Sequence, residues 1–169
     1  KLYTAPDIIF NNQIGTAKWN DIKGVALDST YFYVADRNGN LFIWEGIPKN
    51  KSVNPLYSIN FGNVELNRLS SDGEYLCVTQ QSPAAIFIYQ VSDLKKGILT
   101  PWKTISGIGF LNLPSEAATY HGSLAIANMS FHDVLLWKDI QDAPDPDKMI
   151  VLGNQKNSPS NIPQIGSRN

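Results

Sequence analysis

Three stretches of this chain share one pattern, a short apolar strand that ends in an aromatic residue: Leu41-Phe42-Ile43-Trp44, Ile86-Phe87-Ile88-Tyr89 and Val134-Leu135-Leu136-Trp137. The interval from Trp44 to Tyr89 is 45 residues, and the interval from Tyr89 to Trp137 is 48 residues. Short strands that recur at a period of roughly 40–50 residues are typical of an array of small repeated β-sheets. The spacing therefore predicts an all-β repeat protein.

The unit that contains Trp44 shows what one repeat comprises. Its sequence predicts four strands, at residues 24–28, 31–36, 41–44 and 56–61. Asn38-Gly39 lies between the second and third strands and supplies the positive φ angles that a tight hairpin needs. Four antiparallel strands joined by polar turns form one blade of a β-propeller. The repeat is therefore predicted to be a propeller blade.

The same pattern continues along the chain, with strands predicted at residues 69–71, 75–79, 86–89 and 102–105 and then at 124–128, 134–137 and 149–152. Residues 7–13 also match residues 149–155, which close the third unit. We therefore expect residues 1–20 to hold the last strand of a preceding blade and an inter-blade loop. Residues 21–65, 66–110 and 111–158 are predicted to be three blades, and residues 159–169 the start of a following blade.

An arc of three blades has two open edges, whereas propellers close into rings of about four to eight blades. The prediction is therefore a β-propeller segment with three complete four-stranded antiparallel blades plus an extra strand. We expect this segment to belong to a larger ring within a longer polypeptide. A dimer of half-rings is the alternative.

Composition argues against two classes of function. The 169 residues carry a net charge of −1 and no basic run, whereas binding to a nucleic-acid backbone needs concentrated Lys and Arg. No apolar run approaches the roughly 20 residues of a membrane helix. Cys77, the only cysteine, lies in an apolar strand and is expected to be a buried, inert thiol. We therefore expect no nucleic-acid binding and no membrane insertion.

The first unit resembles the NHL repeat family in three motifs: Gly24-Val25-Ala26-Leu27-Asp28, Tyr33-Val34-Ala35-Asp36 and Leu41-Phe42-Ile43-Trp44. This resemblance implies a six-bladed ring. The second unit departs from the pattern, because Leu69-Ser70-Ser71-Asp72-Gly73 is more similar to the lactonase-like and surface-layer propellers, which have seven blades. Some six-bladed relatives are lactonases or lyases that hold a divalent cation at the channel mouth.

Few residues are suited to such a cation. Calcium needs several converging oxygen ligands, and the candidates are Glu116 and Asn128, both in the third unit. Lys23 stands where such an enzyme would offer an asparagine, and its charge would repel the ion. His121 and His132 are expected in turns or on the surface, and the acidic residues 142–147 in a solvated loop. The sequence thus predicts no catalytic residues and no cofactor, with Ca²⁺ as the alternative.

A propeller can also serve as a rigid support for binding loops. The loop residues that we identify as binding candidates are polar or aromatic: Trp19, Asp36, Arg37, Asn38, Gln80, Gln81 and Asn128. Trp19 could instead plug the contact with a neighbouring blade, and the polar side chains could simply be solvated. Strand alternation predicts that Trp44, Tyr89, Phe42 and Trp137 are core residues.

Asn50-Lys51-Ser52 and Asn128-Met129-Ser130 match the acceptor pattern for N-glycosylation. Asn50 is the candidate for modification, whereas Asn128 is expected to face inward. Together with the low charge, this pattern favours an extracellular or cell-surface protein. The predicted function is a non-catalytic scaffold for protein–protein or protein–glycan contacts, with self-assembly into a surface lattice or filament as a further possibility. The alternative is a metal-dependent lactonase or lyase whose remaining ligands lie in other blades.

Overall fold

The computed structural model describes residues 8–153, which fold into three four-stranded antiparallel sheets and one two-stranded hairpin. The hairpin comprises β1 (Gln13–Ile14) and β2 (Ala17–Lys18). The first sheet comprises β3 (Ile22–Leu27), β4 (Tyr31–Asp36), β5 (Asn40–Glu45) and β6 (Tyr57–Asn60). The second comprises β7 (Glu65–Ser71), β8 (Tyr75–Ser82), β9 (Ala85–Gln90) and β10 (Lys103–Ser106). The third comprises β11 (Pro114–Tyr120), β12 (Ser123–Asn128), β13 (Asp133–Trp137) and β14 (Ile150–Gly153).

Each sheet is a meander, because every strand in it pairs with the next strand in sequence. Helical structure in the described residues is limited to short connections: helix α1 (Val91–Leu94) and the 3-10 turns Met129–Phe131, Ile140–Asp142 and Pro146–Lys148. The predicted all-β architecture with four-stranded antiparallel units is confirmed.

The extra strand near the N-terminus lies at a different position from the predicted one. Residues 8–12 form no strand, and β1 begins at Gln13 and pairs with β2. The hairpin turns at Gly15, which has a φ of +59° and donates its N–H to the Lys51 carbonyl at 2.7 Å. A strand needs a hydrogen-bonding neighbour, and β2 provides one locally. The predicted start of a following blade, 159–169, lies outside the described residues.

The three sheets stack face to face through two apolar cores. The core between the first and second sheets includes Tyr33, Ile43, Leu76 and Tyr89. The core between the second and third sheets includes Cys77, Ile88, Leu135 and Trp137. The second sheet therefore buries both of its faces, whereas the first and third sheets each contribute one face to these cores.

The core residues predicted from strand alternation are confirmed, because Phe42, Trp44, Tyr89 and Trp137 are all buried. Cys77 is also buried, as expected, and burial raises the pKa of its thiol to about 12. A thiol with this pKa is almost fully protonated at neutral pH, and only the thiolate is a strong nucleophile. The predicted burial of Cys77 is therefore confirmed, and its inertness stays a prediction that the raised pKa supports.

A β-bulge recurs in the first strand of every sheet. The register of β3 against β4 shifts between Ile22 and Gly24, and that of β11 against β12 shifts between Pro114 and Glu116. The register of β7 against β8 shifts in the same way between Leu66 and Leu69. Bulges redirect side chains and bend the strand that carries them. The first strands of the three sheets therefore share a kink that their sequences do not show.

The first strands of neighbouring sheets approach each other closely at Gly24. A Cβ atom at this position would lie 2.8 Å from the Leu69 nitrogen, and real Cβ atoms essentially never come that near another heavy atom. We expect Gly24→Ala to push β3 away from β7 and to lower the free energy of unfolding by about 1–3 kcal/mol, which is typical of overpacking. Urea denaturation measures this change. Gly109→Ala is the control, since nothing lies within 4 Å of its Cβ, and an equal loss in both variants would contradict the close approach.

Candidate functional site

The loops gather at two ends of the stacked sheets. At the upper end, the chain enters the first strand of each sheet beside the hairpin that joins the second and third strands. Arg37 N–H thus donates to the Asp21 carbonyl at 2.8 Å. At the lower end, the turn between the first and second strands contacts the segment that follows the third strand. An equivalent backbone hydrogen bond forms there in each sheet, from the N–H of Gly46 to the Thr30 carbonyl, of Val91 to the Glu74 carbonyl and of Ile140 to the Gly122 carbonyl.

Asp36, a predicted binding residue at the upper end, is buried and organises its own hairpin. Its Oδ1 atom accepts hydrogen bonds from the backbone N–H groups of Asn38 at 3.0 Å and Asn40 at 3.1 Å. The Asn40 side chain donates to the same oxygen at 3.1 Å. These bonds fix the Asn-Gly turn predicted from the sequence. The carboxylate of Asp36 is therefore occupied within its own hairpin, and a role of this residue in binding stays a prediction.

Asn128 holds the equivalent position in the third sheet and is also buried. Its side-chain oxygen accepts the Asn112 N–H at 2.8 Å, and its nitrogen donates to the Phe110 carbonyl at 2.8 Å and to Asp133 Oδ1 at 2.9 Å. The side chain therefore joins the inter-sheet segment to the hairpin. It is not exposed for binding or for glycosylation, in agreement with its expected inward position.

Gln80 completes this set in the second sheet, where it is buried and donates to the Pro83 carbonyl at 2.5 Å. The three aligned polar positions, Asp36, Gln80 and Asn128, therefore stabilise hairpins. Gln81 is half-buried, whereas Arg37 and Asn38 are exposed. Among the candidates in these hairpins, Gln81, Arg37 and Asn38 are therefore accessible to a partner, and their role in binding stays a prediction.

Trp19 is buried, which favours the second of its two interpretations, a plug between packed segments, over an exposed binding residue. Its ring packs on Phe42 with a centroid distance of 6.4 Å, and its Nε1–H donates to the Asn11 carbonyl at 3.0 Å. The segments that lead into the other two sheets contribute aromatic side chains in the same way: Phe61 on Phe87 at 4.8 Å, and Phe110 on Trp137 at 6.4 Å. Trp19 is thus the plug that the sequence offered as its other interpretation.

A charged cluster at the upper end joins the predicted binding residue Arg37 to Asp21 and Glu65, which sequence reasoning did not select. The Arg37 guanidinium lies 3.1 Å from Glu65 Oε1 and 3.7 Å from Asp21 Oδ2. Lys23 Nζ lies 3.1 Å from the same Asp21 oxygen. Pairing of β3 with β4 brings Asp21, Lys23 and Arg37 together, and packing of β3 against β7 adds Glu65 from the second sheet. Their exposure makes each pair weak, about 0–1 kcal/mol, so the cluster is polar and open to exchange of partners.

The two metal candidates differ in their surroundings. Glu116 is exposed on the outward side of β11, whereas the Asn128 oxygen already accepts the Asn112 N–H. Within residues 8–153, no group of three or more His, Cys, Asp or Glu residues is arranged to hold a metal ion. In the acidic loop, Asp142 pairs with Lys148 at 2.5 Å, and Asp145 accepts the Asp147 N–H at 3.0 Å. His121 and His132 are exposed in turns, as predicted.

Asn50 lies in the exposed loop between β5 and β6. Its Oδ1 accepts the Ser52 N–H at 2.9 Å, which leaves the side-chain nitrogen accessible. The acceptor pattern therefore sits where a glycan could be attached, and its modification stays a prediction. Among the described residues, no helix has the length and apolar character to cross a membrane.

Lys103 joins the second and third sheets at the lower end. Its ammonium donates to the carbonyl oxygens of Ile140 at 2.8 Å, Gln141 at 2.9 Å and Ala143 at 2.7 Å. Burial lowers the pKa of this lysine, although Asp139 and Asp142 oppose the shift. The Lys103 side chain therefore stabilises the turn Ile140–Asp142 and ties it to β10.

Substitution of Lys103 tests how much these hydrogen bonds contribute to stability. We expect Lys103→Met to lower the free energy of unfolding by about 1–3 kcal/mol, because three carbonyl groups lose a charged donor. Chemical denaturation measures the loss. Lys49→Met is the control, since Lys49 is exposed in a loop, and we expect a change within about 0.5 kcal/mol for this variant. Equal stability of the two variants would contradict the role assigned to Lys103.

The stacked four-stranded meanders define a class of protein, the β-propellers, of which this chain provides three adjacent blades. No protein-family model and no curated protein sequence matches the chain. Solved structures do match. The WD40 repeats of RRP9 share 18% identity, the match covers 80% of this chain and 37% of that chain, and the TM-score is 0.56. The computationally designed Ika4 protein shares 9% identity over 77% of this chain and 73% of that chain, with a TM-score of 0.56, and the glutaminyl cyclase of Myxococcus xanthus shares 15% identity over 82% of this chain and 53% of that chain, with a TM-score of 0.52. The chain thus spans little more than a third of the RRP9 structure, and at these identities the likeness shows the fold alone.

Proposed function

We propose that this chain is part of a propeller scaffold that binds a protein partner through its upper end and carries out no chemistry of its own. The observation behind this proposal is the charged cluster of Asp21, Lys23, Arg37 and Glu65, in which Arg37 is exposed and the other three side chains are half-buried. The buried Asp36 fixes the hairpin that carries Arg37 before any partner arrives. A preorganised surface loses little conformational entropy on binding. A protein contact is therefore the use that this geometry favours.

The NHL type of propeller, a six-bladed ring and an extracellular or cell-surface location are further parts of the proposal. The resemblance of the first unit supports the NHL type. The low proportion of charged residues and the exposed Asn50 support an outward location, and the polar side chains of Asn38 and Gln81 would also suit a glycan. The partner is therefore proposed to be an extracellular protein or glycan.

Binding to peptide and glycan arrays tests the proposal. We expect Arg37→Ala/Asn38→Ala to weaken array binding at least tenfold while leaving the melting temperature unchanged, because both side chains are exposed. Lys95→Ala is the control, since Lys95 is exposed after α1 at the lower end. Binding that Lys95→Ala weakens and the double variant retains would place the contact at the other end and contradict the proposal. Repeating the assay in EDTA and in CaCl₂ tests the metal-dependent alternative.

A further inference from the structure

The lower end of the second sheet carries a small open cavity of about 260 Å³. We call it the lower-end cavity, and its walls are Gly73, Glu74, Gln90, Ser92 and Lys95. Sites for drug-sized ligands measure about 300–1,000 Å³, so this cavity suits a smaller molecule. The second sheet has another sheet packed on each of its faces. The cavity therefore lies within the arc, away from its two open ends.

Helix α1 builds one wall of this cavity. It begins directly after Gln90 and ends beside Lys95, and in the part of the chain that the structure describes an α-helix occurs only in the second sheet. The Val91 N–H donates to the Glu74 carbonyl at 2.9 Å, which fixes the start of α1 against the turn between β7 and β8. The wall that Ser92 and Lys95 provide is therefore specific to the second sheet.

The cavity holds two opposite charges that are not paired. Within residues 8–153, neither the Glu74 carboxylate nor the Lys95 ammonium forms an ion pair. Lys96, the next residue in the chain, does pair with Asp93 at 2.9 Å. Opposite charges attract each other most strongly when they are close, and here the cavity separates them. A ligand that carries both a cationic and an anionic group would therefore complement both walls.

A buried tyrosine holds the acidic side of the cavity in place. Tyr75 is only 5% exposed, and its hydroxyl interacts with the side chains of Glu74 and Gln90. Burial, followed by the charge of Glu74, raises the pKa of Tyr75, so the hydroxyl remains a donor at neutral pH. Side chains that are positioned before binding lose less conformational entropy when a ligand arrives. Glu74 and Gln90 are therefore prepared to receive a cationic group.

We propose that the lower-end cavity binds a free α-amino acid as its zwitterion. The Lys95 ammonium and the Ser92 hydroxyl donate to the carboxylate of the ligand, and the Glu74 carboxylate and the Gln90 side-chain oxygen accept from its ammonium group. Hydrogen bonds between charged groups are the stronger ones. Because the cavity is open to water, we expect a dissociation constant in the millimolar range. This inference goes beyond the partner proposed for the upper end and does not depend on it.

Titration of the isotope-labelled chain with L-alanine, followed through backbone amide chemical shifts, tests the proposal. We expect saturable shifts at Glu74, Ser92 and Lys95 and none at Asn38, which lies at the upper end. Propionate and ethylamine are the matched control ligands, since each keeps one charge of alanine and lacks the other. Each should bind about tenfold more weakly, the effect of losing one charged hydrogen-bonding group. Equal affinity for alanine and for either control ligand would overturn the proposal, as would the lack of any saturable shift.

Two variants locate the ligand in the cavity. Glu74→Gln and Lys95→Ala should each weaken alanine binding about tenfold, with an unchanged melting temperature because both side chains are exposed. Lys96→Ala is the control, since Lys96 pairs with Asp93 beside the cavity and does not line it. Lys95→Ala should still bind the partner at the upper end, so the two proposals fail separately. Alanine binding that both cavity variants retain would overturn the proposal, and so would an equal loss in Lys96→Ala.

Discussion

Trp137→Ala is expected to lower the free energy of unfolding by about 3–5 kcal/mol, the range for removing a large buried aromatic side chain. Trp137 is fully buried in the core between the second and third sheets. Its Nε1–H donates to the Asp145 carbonyl at 2.9 Å, and Phe110 packs on its ring. The substitution therefore opens a cavity in the core and removes the hydrogen bond that holds the loop at Asp145.

Denaturation in urea measures this loss, with far-UV circular dichroism as the probe. Ile47→Ala is the control, because Ile47 is an exposed loop residue and its truncation should change stability by less than about 0.5 kcal/mol. The same reasoning applies to Trp44 and Tyr89, which close the third strands of the other sheets. A Trp137→Ala variant as stable as the wild type would contradict the face-to-face packing of the sheets.

Asp28→Ala is expected to have the next largest effect, a loss of about 2–4 kcal/mol, because buried hydrogen-bonding groups lose their partner. Asp28 Oδ1 accepts the N–H groups of Thr30 at 2.7 Å and Tyr31 at 2.8 Å. Its Oδ2 accepts the hydroxyl groups of Tyr33 at 2.7 Å and of Ser71, in the second sheet, at 2.7 Å. One carboxylate thus fixes a turn and joins two sheets.

Asp72 in the second sheet provides a matched control for Asp28. It occupies the same turn position and accepts the N–H groups of Glu74 at 2.9 Å and Tyr75 at 2.8 Å. It is exposed, and no bond from it to the third sheet is seen in residues 8–153. Asp72→Ala should therefore cost about 1 kcal/mol, the value of a lost turn or cap interaction. Equal losses for Asp28→Ala and Asp72→Ala would contradict the joining role of Asp28.

The Asp28 network also predicts a dependence of stability on pH. Burial raises the pKa of this carboxyl group, but the hydrogen bonds from Tyr33, Ser71, Tyr31 and Thr30 outweigh it and lower the pKa. A carboxyl group whose pKa is lowered by folding stabilises the protein above its unfolded pKa of about 3.9, and this contribution disappears as the pH falls through the folded value. The difference in unfolding free energy between wild type and Asp28→Asn should therefore shrink below about pH 4. A difference that is constant from pH 7 to pH 3 would contradict the shift.

The strands could be predicted from the sequence because their signals are local. Continuous runs of apolar and aromatic residues define β4 and β5, and Asn38-Gly39 defines the hairpin between them. The aromatic residue at the end of each third strand gives the repeat. Each of these features depends on residues that are neighbours in the chain, so packing does not change them.

The candidate site was predicted less well, because burial at the loops depends on segments far apart in sequence. The sequence around Asp36 is typical of an exposed turn, but the side chain is buried because it accepts hydrogen bonds from its own hairpin. Trp19 is buried because the hairpin β1–β2 folds onto Phe42. Glu65 joins Asp21 and Arg37 only because β3 packs on β7. The sequence signal for this packing was one aromatic residue in each segment that leads into a sheet, namely Trp19, Phe61 and Phe110.

The central claim is that the sheets stack face to face, with their first strands side by side, and nuclear Overhauser spectroscopy of the labelled chain tests it directly. The contact at Gly24, where a Cβ would lie 2.8 Å from the Leu69 nitrogen, predicts a strong cross-peak between a Gly24 Hα and the Leu69 amide proton. Cross-peaks within the first sheet, between Gly24 and Ala35, serve as the internal reference. The account predicts both signals. A spectrum with the Gly24–Ala35 signal but without the Gly24–Leu69 signal would show formed sheets that are not stacked, and would contradict the propeller arrangement.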